Sequence, residues 1–117
     1  MTRLFLLNPG FHDAQLGDST RYYCPHCAMI EGVLQYYPHL KEELDIDYVD
    51  FVRPRTAVVD LLGEENQGCP VLIIDPEENT ELDVSYFKKH EQLLYVNSTA
   101  LIAKFLAAKY GIALPHS

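Results

Sequence analysis

Three short stretches of the chain are apolar and end in turn-forming residues. Residues 3–7 (RLFLL) stop at Asn8-Pro9-Gly10, residues 70–74 (PVLII) run into Asp75-Pro76, and residues 93–96 (LLYV) precede Asn97-Ser98. Such runs predict strands, the first two buried. Residues 44–51 (LDIDYVDF) nearly alternate between apolar residues and aspartates, which predicts a further strand. Helical spacing appears in three places. Cys27, Ile30, Leu34 and Tyr37, with Val33 beside them, form one stripe behind Pro25, a residue suited to the first helical position, so the helix starts at Cys24. Pro38 cannot continue it, and the helix ends near Tyr37. Gly32 lies inside it at a cost of about 1 kcal/mol relative to alanine, and predicts close packing against a strand. A second helix opens at Pro54, with Val58, Leu61 and Leu62 on one face and Gly63 capping its end. A third follows Asn97 or Ser98 as N-cap, with Leu101, Ile102, Phe105 and Leu106 as its apolar face and Gly111 at its end.

Two segments lack a clear period. Residues 8–23 are rich in Gly, Asp and Ser and read as a long loop, of a length that is often functional. Residues 76–92 hold either a hairpin strand at ELDVS (81–85) or an insertion before the strand at 93–96. The order β-α-β-α-β-β-α predicts a single α/β domain over residues 1–117, with a mixed four-stranded sheet flanked by helices. A right-handed βαβ crossover makes the first two strands parallel, and an antiparallel pair follows.

Composition narrows the function. The 117 residues suffice for one domain with its own core. A formal charge of -8 without a basic cluster argues against nucleic acid. No stretch approaches the ~20 apolar residues of a membrane span, so no membrane partner is expected. The apolar run near the N-terminus is too short for a signal-peptide core, which predicts a cytoplasmic protein. A reducing compartment disfavours structural disulfides, and the odd count of three cysteines (Cys24, Cys27 and Cys69) argues the same way.

On the predicted topology, Cys24 follows the first strand, Arg53-Pro54-Arg55 follows the second, Gly68-Cys69-Pro70 precedes the third, and Asn97-Ser98 follows the last. All four segments then meet at one edge of the sheet, where ligands of α/β folds bind. Cys24 sits at a helix N-terminus, whose unpaired N–H groups and macrodipole favour thiolate, the attacking species. Cys27, one turn inward, can resolve a mixed disulfide. Pro25 fixes the turn, and His26 can add a positive charge or a donor beside the thiolate. A Pro-His pair between the cysteines favours the reduced form and hence the oxidising end of the redox range.

The CPHC motif at a helix start, the following βα unit and the later CPVLIID resemble the thioredoxin-like superfamily. The resemblance spans residues 3–112. It implies that Pro70 is a cis-proline facing the dithiol and that the loop around it offers backbone groups to an extended thiol substrate. Residues 96–111 resemble the last helix of the glutathione-transferase N-terminal domain, where the capping serine region, here Ser98, holds the glutathione γ-glutamyl carboxylate. A small bacterial glutaredoxin-like family of unassigned function is also similar, sharing YCPHCAxIEG, RPR and NQxxP. The resemblance implies a thiol–disulfide oxidoreductase in which Cys24 attacks, Cys27 resolves, and Pro25 and His26 tune the pair. Substrate contacts would come from Tyr23, Arg53, Arg55, Cys69, Pro70 and Ser98. It implies no resident cofactor or metal, glutathione as a co-substrate, and protein disulfides or glutathione-type thiols as partners. The chain departs from the pattern in its long loop before Cys24, in Tyr22-Tyr23 where tryptophan is usual, in Cys69 before the proline, and in lacking the transferase helical domain.

Other readings stay open. The two cysteines could be inert core thiols or part of a metal site with Cys69 and His26, although structural zinc usually takes four ligands. The fold could serve as a binding module for a protein or glutathione-type ligand without turnover. Cys69 is either a small packed hydrophobe or a third reactive thiol. Arg53 and Arg55 either bind a substrate carboxylate as forks or pair with nearby acids. Asn97, Ser98 and Thr99 can be no more than a helix cap. His12 and Asp13 read as solvated, and Tyr22 and Tyr23 as residues packing the loop.

Overall fold

A computed structural model describes residues 1–116. Its elements are β1 (Arg3–Leu7), β2 (Phe11–Asp13), β3 (Gly17–Tyr22), α1 (Pro25–Tyr36), α2 (Leu40–Glu43), β4 (Asp45–Val49), α3 (Thr56–Leu62), β5 (Val71–Ile74), β6 (Lys88–His90), β7 (Leu93–Val96) and α4 (Thr99–Tyr110). Five strands form a mixed sheet in the order β4-β1-β5-β7-β6. Strand β1 runs parallel to β4 and antiparallel to β5, and β7 is antiparallel to both β5 and β6.

The side-chain alternation of the central strands explains why their sequences read as unbroken apolar runs. Leu4 and Leu6 of β1, Leu72 and Ile74 of β5, and Val96 of β7 face a core built with Ile30 and Leu34 of α1 and with Ile102, Phe105 and Leu106 of α4. Phe5, Val71, Ile73 and Tyr95 face the other way, onto Val58 and Leu62 of α3. A strand with both faces covered has no polar side to show. Burying each such side chain contributes about 1.5–3 kcal/mol, which makes this three-layer packing the main source of stability.

Several expectations are corrected. The main sheet has five strands rather than four, because the 76–92 segment supplies β6 at its edge. Residues 81–85 are not a strand. Lys88–His90 pairs with Leu93–Tyr95 across a tight turn whose Glu91 has a positive φ of 54°. The long loop is a hairpin, β2–β3, with Phe11 opposite Tyr22. Helix α3 starts at Thr56, not at Pro54. Arg55 caps it in a non-helical conformation while its backbone N–H donates to the Gln67 side chain at 2.8 Å. Gly32 does not pack on a strand: a Cβ there would meet no atom within 4 Å, and the residue is exposed. The predicted caps of α4 hold. Ser98 Oγ accepts from the Leu101 N–H at 3.3 Å, and Gly111 closes the helix at a left-handed φ of 72°.

Candidate functional site

The register of the sheet brings the four chemistry-bearing segments to one edge. Phe5 pairs with Val71 and Leu72 with Val96, so the end of β1, the start of β5 and the end of β7 lie side by side. Leu7 pairs with Val49, which places the loop after β4 next to them.

Cys24 is the N-cap of α1, and its Sγ accepts the backbone N–H of Cys27 at 3.2 Å. Pro25 occupies the first helical position, where its missing N–H leaves that capping bond to Cys27. Cys27 is only 5% exposed, and its Sγ accepts the Leu7 N–H at 3.4 Å across from β1. The Cys24 thiol lies 3.9 Å from the carbonyl oxygen of Cys69. The Cys69–Pro70 peptide bond is cis, as the resemblance implies, and so is Arg53–Pro54, which nothing in the sequence announced. All three cysteines are free thiols.

The thiols differ in their surroundings. Burial pushes the Cys27 thiol up to about 12, helped by its bond to Cys24 and by the nearby sulfurs, with the Leu7 N–H pulling the other way. Cys69 is pushed up to about 11, again chiefly by burial, against the Arg55 and Arg53 guanidinium groups that favour its thiolate. Cys24 is half-buried and lies at the helix N-terminus, where a fixed anion is best accommodated.

The two arginines part company. Arg53 is exposed on the loop after β4. Arg55 is 7% exposed, and its guanidinium donates to the Phe51 carbonyl through Nε at 3.0 Å and Nη2 at 2.7 Å, and to the Gln67 carbonyl through Nη1 at 2.9 Å. Arg55 thus ties the loop after β4 to the loop before β5, and its fork is spent on the chain itself. Ser98 faces its own helix, as described, while the Asn97 amide lies across from Gly68, 3.9 Å from where a Cβ would stand. Tyr23 is 64% exposed beside Cys24, and His26 is exposed in the first turn of α1.

Sequence reading missed Gln67 and Leu7. Gln67 is buried, accepts the Arg55 N–H, and donates from Nε2 to the Glu64 carbonyl at 2.9 Å. Leu7 acts through its backbone alone, which no side-chain pattern can reveal. An apolar cleft of about 180 Å³ opens beside Cys24, between α1 and the β1–β4 edge. Among the described residues, no group of three or more His, Cys, Asp or Glu side chains is placed to hold a metal ion. No described helix is long and apolar enough to cross a membrane.

The chain belongs to the family described as protein of unknown function (DUF3088), which matches residues 1–114. No curated protein and no solved structure matches it.

Proposed function

We propose that the protein is a thioredoxin-like thiol–disulfide oxidoreductase of a reducing compartment, with Cys24 as nucleophile and Cys27 as resolving thiol. The observation that carries this reading is the Cys24 sulfur at the N-terminus of α1, accepting the Cys27 N–H at 3.2 Å. A helix start lined with N–H donors stabilises the thiolate that attacks.

The chemistry balances within the pair and its thiol substrates. The Cys24 thiolate attacks one sulfur of a substrate disulfide, the substrate S–S bond breaks, and the other sulfur leaves as a thiolate. The Cys27 sulfur then attacks Cys24 Sγ, its proton passes to the departing substrate sulfur, and a Cys24–Cys27 disulfide forms. In the mixed disulfide Cys24 carries no charge, which removes one of the causes that hold the Cys27 thiol up. Two electrons from glutathione-type thiols return the pair to the reduced state. The Cys69 carbonyl, 3.9 Å from Cys24, suits a backbone acceptor for an extended substrate. Arg53 offers an exposed cation for a substrate carboxylate, whereas Arg55 acts as a positioning residue for the Phe51 and Gln67 loops.

The test is oxidation with excess oxidised glutathione, followed by peptide mass mapping. The reading requires a Cys24–Cys27 disulfide that reduced glutathione reverses. In Cys27→Ser, a glutathione adduct should persist on Cys24. If neither species forms, the reading is wrong. The 5% exposure of Cys27 favours one rival, a docking module without turnover. On that view Cys24→Ser keeps its affinity for a glutathione-type ligand while no disulfide cycles.

A further inference from the structure

The cleft beside Cys24 is not on the side of Cys69–Pro70. Its walls come from Leu6 and Leu7 of β1, Ala28 of α1, Tyr23 and the two motif cysteines, and Glu31 and Tyr48 also line it. Cys24, Ala28 and Glu31 are separated by four and three residues, so they follow one strip of α1 away from the nucleophile. Tyr48 of β4 donates its hydroxyl to Glu31 Oε1 and bridges β4 to α1 at that strip. The remaining lining is aliphatic, aromatic or sulfur. Its volume of about 180 Å³ compares with the roughly 150 Å³ of an apolar protein cavity that accepts benzene.

We propose that this cleft is a subsite for an apolar group, an aromatic ring or a branched aliphatic chain, carried close to the sulfur that joins Cys24. The inference rests on the thiol–disulfide reading above and deepens it by naming the substrate class: thiols whose sulfur stands next to hydrocarbon. Three features carry the assignment. The reacting residue Cys24 is itself one of the lining residues, so an occupant lies beside the chemistry. Its walls offer no charge except Glu31, which is engaged by the Tyr48 hydroxyl. Burial, with that bond behind it, keeps the Tyr48 phenol up at about 12, so the pair holds across the physiological range. The small side chain of Ala28 leaves the space open, and a larger residue there would fill it.

The test separates the cleft from the redox reading. In the first arm, benzyl methyl sulfide, which carries no disulfide, is titrated into the reduced full chain. Amide shifts are followed at Leu7, Ala28 and Tyr48. Saturable shifts there, lost in Ala28→Phe, are expected. Absence of shifts, or shifts that persist in Ala28→Phe, overturns the subsite whatever the turnover shows. Ala28→Leu is the milder filler should the phenylalanine variant fail to fold, and it must weaken binding. In the second arm, the glutathione mixed disulfides of benzyl thiol and of hydroxyethyl thiol are compared as substrates, alongside Cys-Phe and Cys-Ser dipeptide disulfides. The wild-type chain should favour the benzyl member of the first pair by about tenfold or more in kcat/KM, and Ala28→Phe should erase that ratio. Preference within the dipeptide pair as well extends the class to peptides, and its absence restricts the class to small thiols. Equal rates on benzyl and hydroxyethyl probes sink the subsite. Binding in the first arm with no turnover of any probe leaves the subsite standing and sinks the oxidoreductase.

Discussion

Phe11 lies flat on Phe51, with ring centroids 4.3 Å apart and planes 2° from parallel. The Arg55 guanidinium sits 5.3 Å from the same Phe51 ring. One aromatic ring therefore joins the β2–β3 hairpin to the loop that Arg55 anchors. Replacing Phe11 by alanine should cost about 2 kcal/mol, between the worth of one aromatic pair and that of a full core ring. The hairpin should loosen first. Hydrogen exchange at the Gly10 amide, bonded to the Tyr22 carbonyl at 2.8 Å, should accelerate more than exchange in β1. Unchanged Gly10 protection would show that the stack does not hold the hairpin.

Arg55→Lys keeps the charge and loses the fork. An ammonium cannot span the Phe51 and Gln67 carbonyls as the guanidinium does, so about 2 kcal/mol of stability should go. The Cys69 thiol should become only slightly harder to ionise, because Arg55 favours its thiolate chiefly through its charge, which lysine keeps, and less through a hydrogen bond, which is lost. Urea denaturation and the thiolate absorbance of Cys69, followed in a Cys24→Ser/Cys27→Ser background, report the two effects separately.

Alkylation should rank the three thiols. Cys27 and Cys69 are held well above the ordinary value of 9.0, at about 12 and about 11, and Cys27 is nearly inaccessible. Iodoacetamide at neutral pH should label Cys24 at least about tenfold faster than either, since the thiolate is the reacting form. Equal labelling of Cys24 and Cys69 would contradict the placement of the nucleophile.

The same two thiols give stability a pH dependence of definite sign. In the unfolded chain they lose their protons near 9.0, and in the folded chain only near 11 and 12. Between these values the unfolded state binds fewer protons, so stability falls as pH rises. Their contribution is whole below about pH 9 and is lost as pH climbs through the folded values. Urea titrations in reductant from about pH 8 to about pH 11 should show the decline, and Cys69→Ala should make it shallower.

Gly32 offers a gain. It lies in the middle of α1, is exposed, and a Cβ would meet nothing within 4 Å. Gly32→Ala should stabilise the chain by about 0.5–1 kcal/mol through helix propensity alone. A loss of stability would reveal a neighbour that the open space does not.

What could be read from the sequence was whatever the layers enforce on side chains. The apolar runs of β1, β5 and β7 and the capped stripes of α1 and α4 follow from burial between a sheet and its helices. The hairpin β2–β3 escaped because its strands are polar and its place is fixed by one distant ring, Phe51. Strand β6 escaped because Lys88-Lys89-His90 has little strand character of its own and is extended only by pairing with β7. At the site, the motif cysteines were visible as residue types. The backbone around Pro70 was reached only through the resemblance, and the Leu7 amide and the role of Gln67 not at all, since they depend on backbone groups from segments apart in the chain.

Strand β6 also decides how the sheet ends. It is three residues long and leaves one side unpaired, and its Lys88 and Lys89 are exposed. An open rim of N–H and C=O groups invites another strand to add, and short, cationic rims discourage it. Two molecules meeting rim to rim along β6 would crowd four ammonium groups together, so mutual repulsion guards the chain against growing into ribbons from this end.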